Sequence, residues 1–310
     1  MRLKILLTVV LVYLSSTFFA NHPILTVIHA GSLSHPIRQI EVAFNKTYGE
    51  NVDFRDESMG SVQTVRYITE LGKIADVLAL ADYSLIPQYL IPQYANWYVQ
   101  FASNEIVLAY TKNSKYANEI NADDWYKILQ KKGVEFGFSN PNMDPAGYRT
   151  ELMFQLAQKY YEVPDLAKKL ISAVPKNNIR PESIELVAYL KTGELDYAFE
   201  YLSVAKQNHL KYVRLPEQIN FGNPKYEKFY SQAELTLAGN KKEIGKAIIY
   251  GLTIPNNSMN KALAAKFIAF LLGPQGRKIF EENGQPPLPP TTNVSLNELP
   301  SAIREIFTNK

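Results

Sequence analysis

Apolar runs that end in small or hydroxyl residues and lead into helix-spaced patterns set the first half of the chain. Residues 24–30 form an apolar run that reads as a buried parallel strand, and Ile37, Ile40 and Phe44 then follow at helical spacing. Between them lies His29-Ala30-Gly31-Ser32-Leu33-Ser34-His35-Pro36. Gly31 permits a sharp turn, and the hydroxyl of Ser32 or Ser34 is expected to cap the helix. A second copy follows. Residues 51–55 alternate as a strand, and Gly60-Ser61 head a helical pattern of Val62, Val65, Ile68 and Leu71. A third candidate is residues 140–149, between a strand-like 134–139 and a helical run with Leu152, Phe154 and Leu156. Here Asp144-Pro145 reads as cap and first helical position, and Gly147 admits a close backbone approach. A helix start offers free N–H groups and the positive end of a dipole, so three such starts suggest a site that grips an anion.

The remaining pattern alternates strands with helices, which predicts an α/β architecture. Residues 76–80 read as a buried strand and 86–98 as an irregular aromatic segment, a candidate lip over a cleft. Residues 103–111 read as one long strand in which Glu105 is the only charge, and the first crossing into a second lobe is expected there. Helices are expected over 123–132, 145–159, 164–173 and 183–191, with strands at 196–201 and 212–215 and the return crossing near the latter. Strands at 234–237 and 247–254, helices at 260–272 and 273–283 and an extended proline-rich stretch at 285–290 complete the pattern. The expected division is a leader at 1–20, a first lobe from 21–106 and 213–310 with C-terminal helices, and a second lobe at 107–212.

Composition narrows the chemistry. With 310 residues, 46% hydrophobic and 20% charged, the chain is long enough for two lobes with their own cores. A net charge of +3 with scattered Lys and Arg argues against nucleic acid as partner. The absence of cysteine removes thiol catalysis, disulfides and Cys-ligated metals. Arg2 and Lys4 before an apolar run to Ala20 form a secretory signal pattern, either cleaved or kept as a membrane anchor, and place the protein outside the cytoplasmic membrane. His22, His29, His35 and His209 lack ligand spacing and read as structural or exposed.

Together, HAGSLS at 29–34, ESMGSV at 57–62, ADVLALADYSLIP at 75–87, SNPNMDPAGYR at 139–149 and DYAFEY at 196–201 resemble the tungstate- and molybdate-binding proteins of archaeal ABC importers, the WtpA-type branch of the ModA-like solute receptors. The resemblance implies a type II periplasmic-binding-protein fold, two α/β lobes on a two-stranded hinge. It implies a monomeric receptor, not an enzyme, with no cofactor, that hands tungstate or molybdate to an ABC permease and meets the membrane through that permease or its own anchor. Matched motif by motif, Ser32 and Ser61 would donate hydroxyls, Asp144 and Glu200 would ligate the metal of the oxyanion directly, and backbone N–H groups of Ser61 and Ala146 would add donors. Tyr201 would line the pocket. Many relatives carry cysteine where this chain has Ala146, and a lipidated N-terminal cysteine that it lacks.

On the residues alone, Asp144 reads as a helix cap, Glu200 as a solvent-facing position on an edge strand and Arg149 as a surface arginine or a partner for a carboxylate. Two carboxylates beside a dianion repel by roughly 4 kcal/mol at about 4 Å even in a medium of moderate polarity. Direct bonding to a high-valent metal resolves that conflict, and so does a shared proton, which would suit hydrogen phosphate. A phosphate or sulfate receptor is therefore the alternative. A secreted hydrolase using Asp144 and Glu200 as acid and base stands further off, since no nucleophile motif is present.

Overall fold

The computed structural model describes residues 22–308. The leader expected over residues 1–20 lies outside them. Among the described residues no helix is long and apolar enough to cross a membrane.

The strands in chain order are β1 (Ile24–His29), β2 (Asp53–Ser58), β3 (Val77–Leu80), β4 (Val99–Ser103), β5 (Ile106–Tyr110), β6 (Phe136–Ser139), β7 (Ile179–Arg180), β8 (Tyr197–Tyr201), β9 (Lys211–Arg214), β10 (Glu234–Leu237), β11 (Lys241–Ile244), β12 (Ile249–Thr253) and β13 (Pro287–Thr292). They build two lobes and a strap. The first lobe is centred on a sheet ordered β13-β4-β12-β3-β1-β2, the second on a sheet ordered β7-β6-β8-β5-β9, and β10-β11 stand apart as a hairpin. β1 runs parallel to both neighbours, pairing Ile24 with Asp53 and Val27 with Val77. That central place explains its apolar run, with Leu25, Val27 and Ile28 in the core. The outer strand β2 is polar, which blunts a sheet edge.

The stretch read as one strand over 103–111 is two. β4 ends at Ser103 in the first sheet, β5 begins at Ile106 in the second, and Asn104-Glu105 make the crossing. Polar side chains buried at such a junction need partners, and Glu105 takes Arg214 at 2.9 Å and the Asn220 amide at 2.7 Å. The return crossing runs alongside, with Ile106 N–H donating to the Asn220 carbonyl and Ile248 N–H to that of Phe221, both at 2.9 Å.

Helix starts differ in part from expectation. Neither Ser32 nor Ser34 caps the helix Ser34–Tyr48, which follows a single 3-10 turn, Gly31–Leu33. Ser34 instead donates to the Gly31 carbonyl at 2.9 Å, and the Ser32 hydroxyl turns to Tyr250. Helix Ser61–Leu71 has Gly60 at its cap and Ser61 as its first residue. Asp144 does cap Pro145–Tyr160, accepting from Ala146 N–H at 3.2 Å. A methyl group on Gly147 would lie 2.2 Å from the Ser139 carbonyl oxygen, so glycine lets this helix rest on the end of β6. The segment expected as an aromatic lip packs inward, with Leu90 and Trp97 in the first lobe's core, because its large apolar side chains gain more from burial than from lining an opening. The proline-rich stretch becomes β13, on the edge of the sheet where proline is tolerated.

In the second lobe, Trp125 and Phe154 each meet Phe199 edge to face, with Phe154 and Phe199 centroids 4.9 Å apart. Each such pair adds about 0.5–1.5 kcal/mol beyond its buried area. This rigid floor supports β8, which carries Glu200.

Candidate functional site

Four helix starts from the two lobes meet at one place. They are the turn at Gly31, Ser61, Pro145 and Ser183, the last opening helix Ser183–Thr192. A methyl group on Gly31 would stand 3.2 Å from the Ile184 side chain and 3.6 Å from the Glu182 carboxylate, and one on Gly60 only 2.4 Å from the Met143 carbonyl oxygen. Gln63 N–H donates to that same carbonyl at 3.2 Å, and Ser183 N–H donates to Asp144 Oδ2 at 2.7 Å. The lobes are therefore closed on one another. The positive ends of the helices gather around a shared interior, an arrangement suited to negative charge.

Ser32, Ser61, Asp144, Ala146, Glu200 and Tyr201 are all buried around this junction. Ser32 Oγ lies 2.9 Å from Tyr250 Oη, and Ser61 Oγ accepts from Ala81 N–H at 3.0 Å. The Ala146 N–H, expected to face an anion, is engaged by Asp144 instead, because Asp144 is the cap of that helix. Glu200 does not face solvent. β8 lies inside its sheet between β6 and β5, and Glu200 is 0% exposed. Its Oε2 accepts from Tyr201 N–H at 3.1 Å, while Oε1 is buried with no hydrogen-bond partner. Ser139 Oγ is buried and unpartnered as well. Tyr201 Oη accepts from Arg149 Nη1 at 2.7 Å.

The two carboxyls feel each other. Burial raises the pKa of Glu200 well above the ordinary range, and the charge of Asp144 raises it further. Asp144 is also raised by burial, although hydrogen bonds from Ser183 and Ala146 pull the other way. Glu182 beside them is pushed up to about 7, by burial first and then by Asp144. One orphaned carboxylate oxygen, Glu200 Oε1, thus lies among buried hydroxyls and helix starts. Among the described residues no cluster of three or more His, Asp or Glu fits a bare metal ion.

Sequence reasoning missed several neighbours. Ser183 read only as the start of an amphipathic helix, yet Glu182 and Glu185 form a capping box there, a legible sign of a fourth helix start. Arg149 is not a surface residue: it is 2% exposed, and its Nη1 donates to the Ala81 carbonyl of the first lobe at 2.9 Å. Tyr148 Oη donates to Asp82 Oδ2 at 2.6 Å, and Lys246 Nζ lies 3.3 Å from the same oxygen. Burial alone would raise the Asp82 pKa, but Lys246, Arg149 and hydrogen bonds from Tyr148 and Ser84 outweigh it and hold the carboxyl below its ordinary range. No sequence pattern signals this cluster, since it joins positions far apart in the chain.

Two α/β lobes, linked by paired crossings and closed on a buried polar junction, define a ligand-binding protein of the two-lobed receptor class. The chain belongs to the bacterial extracellular solute-binding proteins, whose family model matches residues 25–285. Members of this family bind solutes and are not enzymes. An uncharacterized solute-binding protein of Petrotoga mobilis is 46% identical over 288 residues, covering 91% of this chain and 89% of the relative. The molybdate/tungstate-binding protein WtpA of Pyrococcus abyssi is 42% identical over 312 residues, 92% of this chain and 90% of that protein. Among solved structures, the periplasmic molybdate-binding protein of Azotobacter vinelandii superposes with a TM-score of 0.61 at 20% identity, covering 84% of this chain and 98% of its own, a likeness of fold. The resemblance read from the sequence motifs and the type II fold are thus borne out.

Proposed function

We propose that this protein captures tungstate or molybdate outside the cytoplasmic membrane and delivers it to an ABC permease. The lobe built on β13-β4-β12-β3-β1-β2 forms one jaw and the lobe built on β7-β6-β8-β5-β9, which takes in Ile106 and Arg214, forms the other, and a single chain closes on one oxyanion. The observation that carries the reading is the pair of buried carboxyls, Asp144 and Glu200, near the meeting of four helix starts, with Glu200 Oε1 left unpartnered and the charge of Asp144 felt at Glu200. A carboxylate bonded to the metal of the oxyanion acts as its ligand, so repulsion between the two charges becomes a bond. Ser32 and Ser61 supply hydroxyls to the anion's oxygens, and Tyr201 closes the wall behind them. The relative from Pyrococcus abyssi, named for molybdate and tungstate, supports the choice of ligand.

Calorimetric titration of the purified protein with tungstate, molybdate, sulfate and phosphate tests the reading. Tight one-to-one binding of the first two alone is expected. Binding of phosphate or sulfate in their place would keep the receptor and overturn the carboxylates as metal ligands.

A further inference from the structure

The hydrogen bonds behind Ser32 have a fixed direction. Asn104 sits on the crossing between β4 and β5, and its Oδ1 accepts from two backbone N–H groups, Glu105 at 3.0 Å and Ser203 at 3.4 Å. Backbone N–H groups only donate, so this fixes which end of the amide is which. Asn104 Nδ2 accordingly faces the other way and donates to Ser203 Oγ and to Tyr250 Oη, each at 2.8 Å. Tyr250 then has its own proton to place. Ser32 Oγ, at 2.9 Å, is its other hydrogen-bonded neighbour, and with Asn104 already donating to Tyr250 Oη the tyrosine proton is assigned to it. Because the Ser32 oxygen accepts from Tyr250, its proton is left for a group in the junction between the lobes. All four side chains are buried, so bulk water does not scramble this order.

Ser61 reaches the same state by a simpler route. The Ala81 N–H donates to Ser61 Oγ at 3.0 Å, which frees the Ser61 proton as well. Gln285 steadies the Ser32 turn from behind, its Nε2 donating to the Ser32 carbonyl at 2.8 Å.

We propose that Tyr250, oriented by Asn104, is a positioning residue that makes Ser32 an obligate proton donor and so favours ligand oxygens that carry no proton. The inference rests on the oxyanion reading above and concerns how that site chooses among oxyanions. A fully deprotonated anion accepts from both serines. A hydrogen phosphate that turns its O–H toward either serine meets a second donor and gains nothing there. Asn104 also touches both lobes, through Tyr250 on one side and Ser203 on the other. The residue that makes the crossing therefore sets the proton order of the site.

The test is a double-mutant cycle on the full chain, read by titration with tungstate and by competition with phosphate. Tyr250→Phe is expected to weaken tungstate binding about tenfold, and to narrow the preference for tungstate over phosphate. In a Ser32→Ala background the same change is expected to cost under about twofold, because its effect passes through Ser32. Equal losses in both backgrounds, or an unchanged preference, overturn the proposal. Should Tyr250→Phe fail to fold, Asn104→Asp serves in its place. Its carboxylate accepts the tyrosine proton, reverses the bond and makes Ser32 spend its own proton on Tyr250, so the loss should be larger in the parent than in Ser32→Ala. A parent chain that binds neither tungstate nor molybdate overturns the oxyanion reading itself and this inference with it; a parent that binds, with an additive cycle, sinks this inference alone.

Discussion

Arg149 Nη2 and Asp82 Oδ2 lie 3.2 Å apart across the boundary between the lobes, both side chains almost wholly shielded from solvent. The contact is an ion pair rather than an aligned hydrogen bond, and Lys246 and Tyr148 converge on the same oxygen. Such a cluster forms only when the lobes meet, because Arg149 and Tyr148 belong to one and Asp82 to the other. Arg149→Met removes one partner of a buried pair, a change that costs about 3–5 kcal/mol where the pair is fully formed. The expected result is tungstate release faster by ~100-fold or more. Stopped-flow displacement measures it. Unchanged release would mean that the cluster does not contribute to closure. The Asp82 carboxyl sits below its ordinary range, so its stabilisation is complete above the usual carboxylate pKa and disappears only as the pH falls through the depressed value. Closure is therefore expected to survive mild acid as far as Asp82 is concerned.

Asp144 and Glu200 behave in the opposite sense. Both are raised, so the folded chain without ligand holds their protons more tightly than the unfolded chain does. Their contribution to stability is present below the ordinary carboxylate pKa and is lost as the pH rises toward the raised values. Glu200→Gln removes a buried charge while keeping its shape, and relief of one such unsatisfied group amounts to about 1–3 kcal/mol. The ligand-free variant is expected to melt a few degrees higher than the parent at pH 8, with little difference at pH 4. Tungstate affinity should fall by at least ~100-fold in the same protein. Thermal melts across pH, paired with titrations, check both. A variant that melts lower at pH 8 would show that Glu200 is not held against its charge.

Most of this fold was legible because periodicity reports burial. The run at β1, the spaced apolar residues of Ser34–Tyr48 and Ser61–Leu71, and the Asp144-Pro145 start each follow from local rules. The break between β4 and β5 was not legible. Asn104 and Glu105 interrupt an apolar stretch, and only their long-range partners Tyr250, Ser203, Arg214 and Asn220 explain why the chain changes sheets there. Strand β11 escaped detection because its sheltered positions are charged, with Glu243 buried and Ile244 exposed, so no apolar alternation announces it. The site shows the same division. Serine turns and the capping aspartate carry local signals, whereas the burial of Glu200 depends on its neighbours in the sheet, and Arg149 and Tyr250 enter through contacts that no spacing rule encodes.

Gly60 gives closure a steric signature. A methyl group there would meet the Met143 carbonyl oxygen at 2.4 Å, a backbone atom of the opposite lobe. Since the clash exists only between lobes, Gly60→Ala is expected to leave the packing within each lobe unchanged. Overpacking typically costs about 1–3 kcal/mol, which here falls on the closed state. Tungstate affinity should drop by roughly 5- to 150-fold, and small-angle scattering with tungstate present should report a more open particle. Full affinity in Gly60→Ala would show that the approach at Met143 relaxes freely.

The hairpin β10-β11 lies in sequence between the two crossings' return and β12, yet it fastens onto the second lobe. Gln155 Nε2 donates to the Glu234 carbonyl at 2.9 Å, and Gln155 Oε1 accepts from Glu234 N–H at 3.1 Å, so one side chain stands in for a strand partner. Asn142 Oδ1 accepts from Ala238 N–H at 2.7 Å at the hairpin tip. Asn142 lies two residues before Asp144, which ties the strap to the loop that carries a proposed ligand of the metal. Gln155→Ala combined with Asn142→Ala removes three of these hydrogen bonds at exposed positions, each worth about 0.5–1.5 kcal/mol. Faster amide exchange is expected over Glu234–Leu237 and Lys241–Ile244, with tungstate affinity reduced about 3- to 10-fold. Exchange that quickens without any loss of affinity would separate the strap from the site and confine its role to holding the hairpin in place.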